Sequence, residues 1–128
     1  MGVIFMNKDK ITLLAVELNK LTSKNQISWE AITPPPFLTE ASDDFIPILY
    51  RCLYKSKQLA LFIRRYKHFY DEHDYYWNER VVFAILNRES RIIWESPEAS
   101  QALRDLYETV SNQSAGVDDL LDDLLGKN

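Results

Sequence analysis

Two imidazoles and three carboxylates crowd one short stretch: His68, Asp71, Glu72, His73 and Asp74. Nitrogen and oxygen donors of this kind bind divalent metals. Their spacing fits no zinc motif, with no HExxH and no short-spaced Cys or His pair repeated downstream. Along an extended chain that turns, successive side chains diverge, so the expected role is a solvated hairpin tip, and neither a metal ligand nor a cofactor is assigned. A Cys52 nucleophile paired with His68 or His73 requires those side chains to converge. Cys52 lies in an apolar run, where a cysteine is ordinarily inert core. Asp43-Asp44 reads as a turn pair. Gly2, Gly116 and Gly126, the only glycines, form no phosphate-cradling loop. No catalytic residue is assigned, and the expected class is non-enzymatic.

Two patterns point instead to binding. Between Arg51 and Lys67 lie six cations (Arg51, Lys55, Lys57, Arg64, Arg65, Lys67) and no acid, interleaved with Tyr50, Tyr54, Phe62 and Tyr66 and followed by Tyr75-Tyr76-Trp77. Cations with exposed aromatics hold single-stranded nucleic acid or another polyanion by phosphate neutralisation and base stacking. Strand alternation spreads these side chains over both faces, so cross-strand packing and edge protection compete with that use. The second pattern is Asp118-Asp119-Leu120-Leu121-Asp122-Asp123-Leu124-Leu125. On a helix it sets the leucines along one stripe and the aspartates along another, with Asp118 and Asp119 favoured at the N-terminus. The first expectation is that the leucines close an edge of the chain's own core. The same stripe also suits a groove on a partner. Candidate partner-binding residues are therefore Arg51, Lys55, Lys57, Arg64, Arg65, Tyr66, Leu120, Leu121, Leu124 and Leu125.

The elements that position these residues follow from periodicity. Ile11, Leu14, Leu18 and Leu21 predict a helix over 8–21 with Asn7 as cap, leaving 1–7 peripheral. Alternation at Ile27, Trp29 and Ala31 predicts a strand. Pro34-Pro35-Pro36 forbids regular pairing, so 33–44 reads as a proline-rich loop. Strands are expected over 48–55 and 58–69, joined by a hairpin loop at 55–58. A further hairpin runs from Tyr76–Leu86 through a turn at 87–90 to Arg91–Glu95. Ser96-Pro97-Glu98 reads as a helix start, with Leu103, Leu106, Tyr107 and Val110 as the buried stripe. Gly116 ends that helix, and 117–125 forms a short acidic amphipathic one. The fold class expected is α+β: a mostly antiparallel five-stranded sheet with an N-terminal helix and one or two C-terminal helices packed on one face.

The chain has 128 residues, 46% hydrophobic and 27% charged, values of a globular protein, and one domain over 1–128 is expected at that length. A lone cysteine excludes an internal disulfide framework. The longest apolar runs fall far short of the ~20 residues that span a bilayer. Met1–Met6 lacks the features of a signal peptide, so a cytoplasmic protein without membrane contact is expected. The formal charge of −4 is uneven. Residues 1–94 hold 13 basic and 11 acidic side chains, whereas 95–128 hold 2 and 8. Such asymmetry favours docking between oppositely charged surfaces.

Tyr75-Tyr76-Trp77-Asn78-Glu79-Arg80-Val81-Val82, Ile93-Trp94-Glu95-Ser96-Pro97 and Ser114-Ala115-Gly116 running into the acidic segment resemble a family of short uncharacterised bacterial proteins, mainly cyanobacterial, over about 69–125. The resemblance implies that the acidic segment belongs to the domain's pattern, and it implies no activity. The expected function is a small interaction module that engages a protein partner, with self-association through head-to-tail docking of the basic hairpin and the acidic terminus. Binding of single-stranded nucleic acid through 50–67 is the alternative.

Overall fold

The structure is a computed structural model describing residues 3–126, with side chains from Lys10 onward. It contains α1 (Val3–Ser23), β1 (Glu30–Ile32), a 3-10 turn (Pro36–Leu38), β2 (Leu49–Tyr54), β3 (Lys57–Phe69), β4 (Tyr75–Leu86), β5 (Ile92–Glu95), α2 (Gln101–Ala115) and α3 (Val117–Leu125). The five strands form one antiparallel sheet in sequence order, so the fold is α+β as expected. The chain divides into two compact units, one made by residues up to Glu30 and from Ser100 on, the other by Ala31–Ala99.

In the helical unit α1 packs along α2, burying Ala15 and Leu18 of one and Leu103, Leu106 and Val110 of the other. Burying each such leucine stabilises by about 2 kcal/mol. Residues 1–2 of the expected peripheral end lie outside the described residues. From Val3 the backbone is already helical, so Asn7 lies within α1 and not at its start. Asn25, at φ 58°, takes the left-handed conformation that closes the helix, and Gln26 N–H returns to Leu21 O at 2.8 Å. The strand expected around Ile27–Ala31 starts only at Glu30. Ile27 and Trp29 are buried in the helical unit instead, because the Trp29 amide donates to Gln113 Oε1 (3.2 Å) and its indole N–H to Thr22 Oγ1 (3.0 Å).

In the sheet unit, β2 and β3 meet through a two-residue turn, Lys55-Ser56, at φ 50° and 68°. Positive φ at both positions is the geometry that matches strand twist in tight hairpins, so the loop is shorter than expected. Ser96 does not start a helix. Its hydroxyl accepts from Phe83 N–H (3.0 Å) and its own N–H donates to Phe83 O (2.8 Å), prolonging the β4–β5 pairing. The helix start moves to Ser100, whose side chain accepts from Leu103 N–H (3.2 Å).

The strands differ greatly in length. β3 and β4 pair from Gln58↔Leu86 out to Phe69↔Tyr75, whereas β2 reaches only Phe62 and β5 only Ala84 to Leu86. The wide half is buried on both faces. One face carries Ile46, Leu49, Ala60, Phe62, Val82, Ala84 and Leu86, joined by Ile32, Leu38 and Ile92. The other carries Tyr50, Cys52, Leu59, Leu61, Val81 and Phe83. Beyond residue 63 the sheet narrows to a two-stranded ribbon, flanked among the described residues only by the isolated pairing of Phe45 with Arg65.

Candidate interaction surfaces

Register assigns every ribbon side chain to a face, since residues directly opposite share one. Arg64↔Arg80, Tyr66↔Asn78 and His68↔Tyr76 lie on one face; Arg65↔Glu79, Lys67↔Trp77 and Phe69↔Tyr75 lie on the other. On the first face two guanidiniums oppose each other, a destabilising arrangement unless an anion separates them. Glu95 supplies it. Arg64 donates to both its oxygens, Nη1 to Oε1 at 2.9 Å and Nη2 to Oε2 at 3.3 Å, and Arg80 Nη2 donates to Oε1 at 3.4 Å. Asp44 approaches Arg64 Nε at 3.8 Å, and the Arg64 guanidinium lies 5.6 Å from the Phe62 ring. Only 14% of the Arg64 side chain is exposed.

The second face repeats the pattern. Arg65 meets Glu79 at 3.3 Å and Lys67 meets Asp43 at 3.2 Å. The Lys67 ammonium also lies 4.7 Å and 5.7 Å from the Tyr75 and Trp77 ring centres, a cation–π setting. Three of the cations in the basic hairpin, Arg64, Arg65 and Lys67, are therefore neutralised by acids of the same unit. Ala31–Ala99 holds nine cations and ten acids. At the opposite end of the hairpin, Lys55 lies over the Tyr54 ring at 5.3 Å, Lys57 is exposed, and Arg51 and Tyr66 are partly buried.

Aromatic side chains dominate what the ribbon leaves in water. Phe45, Phe69, Tyr70, Tyr75, Tyr76 and Trp77 are all exposed. Phe69–Tyr75 and Tyr75–Trp77 ring centres are 5.3 and 6.2 Å apart and make a continuous aromatic row on the second face, while Tyr70 and Tyr76, 6.1 Å apart, form a separate pair, with Tyr76 on the first face. Phe45, Arg65, Trp77, Asn78 and Glu79 line a cleft of about 580 Å³. Sequence reasoning missed Phe45 and Phe69 as surface aromatics, along with Asp43, Glu79 and Glu95 as counter-ions. By contrast, Tyr50 and Phe62 are core.

The acidic terminus departs from its first expectation. Leu120, Leu121, Leu124 and Leu125 do not close the core; they are 52–83% exposed. The reason is the short joint at Gly116 (φ 64°), which ends α2 with its N–H on Asn112 O and Gln113 O and starts a nine-residue helix at once. In α3 only Val117 and Asp122 are even partly buried. Asp118, Asp119 and Asp122 gather at the positive end of α3, where the helix dipole favours them.

Cys52 and the histidines do not converge. Cys52 opposes Leu59, which is on the face opposite His68, so no Cys–His pair forms. Burial pushes the Cys52 thiol up to about 12. A folded value above the unfolded one of 9.0 leaves the thiol's contribution to stability complete below about pH 9 and removes it as pH rises toward 12. At pH 8 a disulfide reagent should therefore label folded protein about 10³-fold more slowly than denatured protein. Equal rates would show that the thiol is open to solvent.

No protein-family model, curated protein or solved structure matches the chain. No helix among the described residues is long and apolar enough to cross a membrane.

Proposed function

We propose that this protein is a non-enzymatic, cytoplasmic interaction module whose acidic helix α3 docks into an apolar groove of a partner protein. The carrying observation is the exposure of all four leucines on one stripe of α3. Burying the surface they leave in water contributes on the order of 5 kcal/mol toward offsetting the cost of association. Charge specifies the partner. The helix carries Asp118, Asp119, Asp122 and Asp123 and no cation, so pairing with its own copy sets like charges side by side. A groove rimmed by lysine or arginine complements it. The paired state of Arg64, Arg65 and Lys67 speaks against the polyanion reading, because a phosphate backbone must first displace Glu95, Glu79 and Asp43.

The double variant Leu124→Gln/Leu125→Gln tests this reading. Both positions are exposed, so folded stability should change by no more than about 0.5 kcal/mol. Immobilised protein should retain one stoichiometric partner from cell extract, with at least tenfold less recovered by the variant and by high salt. A partner held equally by both chains, or a variant that unfolds, overturns it.

A further inference from the structure

We propose that the aromatic face of the β3–β4 ribbon is the contact surface of a two-fold symmetric homodimer, with Phe69 of each copy seated in the Phe45–Trp77 cleft of the other. This contact is separate from α3 and uses none of its residues.

The ribbon presents exposed Phe45, Phe69, Tyr75 and Trp77 on one face. Such side chains bury about 150–250 Å² each, so four that are roughly half exposed leave on the order of 400 Å² of contiguous aromatic surface in water. That is a patch of the size that marks interaction sites on a soluble protein, and tyrosine and tryptophan are the side chains that anchor interfaces.

The charges on this face select a second copy as the occupant. Each cation already stands against an acid, Arg65 against Glu79 and Lys67 against Asp43. A surface with both signs in balance meets its own image without net repulsion, which α3 cannot do. It offers no uncompensated charge to attract a nucleic acid or a strongly acidic protein.

Geometry completes the fit. A two-fold interface requires that residue i of one copy meet residue j of the other, and j meet i. The cleft centred on Arg65 and the Phe69 ring lie four residues apart on one strand, about 13 Å. Antiparallel ribbons laid face to face about Lys67 bring the cleft of each under the Phe69 of the other. Two lysines at the axis would repel, but each Lys67 is held by Asp43 and by its own Tyr75 and Trp77 rings. Pairing by strand addition is obstructed. Phe45 occupies the β3 edge at Arg65 through two backbone bonds of 2.8 Å, and the Asn78 carboxamide accepts the Glu79 N–H at 2.8 Å.

Sedimentation equilibrium of the full chain tests the proposal. Mass should rise with concentration from 15.0 kDa toward twice that value, with a dissociation constant on the order of 100 µM for so small a patch. Phe69→Ser and Trp77→Ser, both at exposed positions, should each remain folded by circular dichroism and weaken association at least tenfold. Mixed together, these two variants should partly recover dimer, because the Phe69→Ser chain keeps an intact cleft and the Trp77→Ser chain an intact Phe69. Leu124→Gln/Leu125→Gln should dimerise like the parent, which separates this contact from the α3 reading. A chain that stays monomeric to 1 mM or a dimer indifferent to Phe69→Ser overturns the proposal, as does a mixture no better than either variant alone.

Discussion

Gln113→Leu should destabilise the helical unit by about 2 kcal/mol, far more than a partly exposed glutamine usually carries. Its amide is the hydrogen-bonding partner of a segment with no regular structure of its own. Oε1 accepts from Trp29 N–H at 3.2 Å, while Nε2 donates to Ile27 O at 2.8 Å, to Thr22 O at 3.2 Å and to Asn25 Oδ1 at 3.4 Å. Leucine keeps most of the volume and removes every one of those bonds. Two backbone groups, Trp29 N–H and Ile27 O, then lose their partner, at about 1 kcal/mol each where partly buried, whereas Thr22 O still accepts from Asn25 N–H at 3.0 Å. The loss should spread to Trp29, whose buried indole is fixed only while the 24–29 segment holds its path. Urea denaturation should show the lower midpoint, and near-ultraviolet circular dichroism the loosened indole. A change below 0.5 kcal/mol would mean that water replaces the amide without cost. Gln113→Glu is expected to be nearly as damaging, since a carboxylate faces the carbonyls of Thr22 and Ile27.

Glu95→Gln should be the costliest loss of a charge in the sheet unit, at about 2 kcal/mol, or roughly a 7 °C lower melting temperature. The figure is kept below that for fully buried pairs because 31% of the Glu95 side chain is in water. The order of variants is more diagnostic than the size. Glu95→Gln leaves Arg64 and Arg80 opposed with no anion between them. Arg64→Met removes one member of the like-charge pair and leaves Glu95 with Arg80, so it should cost roughly half as much. Arg64→Met/Glu95→Met should recover part of the loss of Glu95→Gln, because apolar replacements remove the desolvation penalty with the charges. If Arg64→Met proves worse than Glu95→Gln, the bridge between two arginines is not what Glu95 provides.

Much of the sheet could be read from residues alone. The β3–β4 hairpin is symmetric about Glu72, and folding the sequence at that point sets Arg65 against Glu79 and Arg64 against Arg80. That register already contains the neutralisation of the basic hairpin, but counting cations along one strand hides it. Glu95 was not legible, since its place beside Arg64 depends on β5 lying across β4 at Ala84. Ser96 misled because a serine followed by proline caps a helix or closes a strand equally well, and the free N–H of Phe83 decides between them. The α3 stripe was correctly seen as apolar, yet periodicity gives only the direction of a face and not what covers it. Gln113 carried no signal, because an amide's value depends on which carbonyls the chain brings to it.

The unequal strand lengths have a consequence for how the sheet unit comes apart. Where four strands run side by side, opening any one amide means breaking packing on both faces. Past Ile63 an opening costs little more than the hairpin's own cross-strand pairs. The sheet thus has a durable root and a frayable end, and the aromatic surface sits on the end that loosens first. A ligand or second copy laid on it would act as a splint, converting the cheapest opening in the unit into one that must also break a contact.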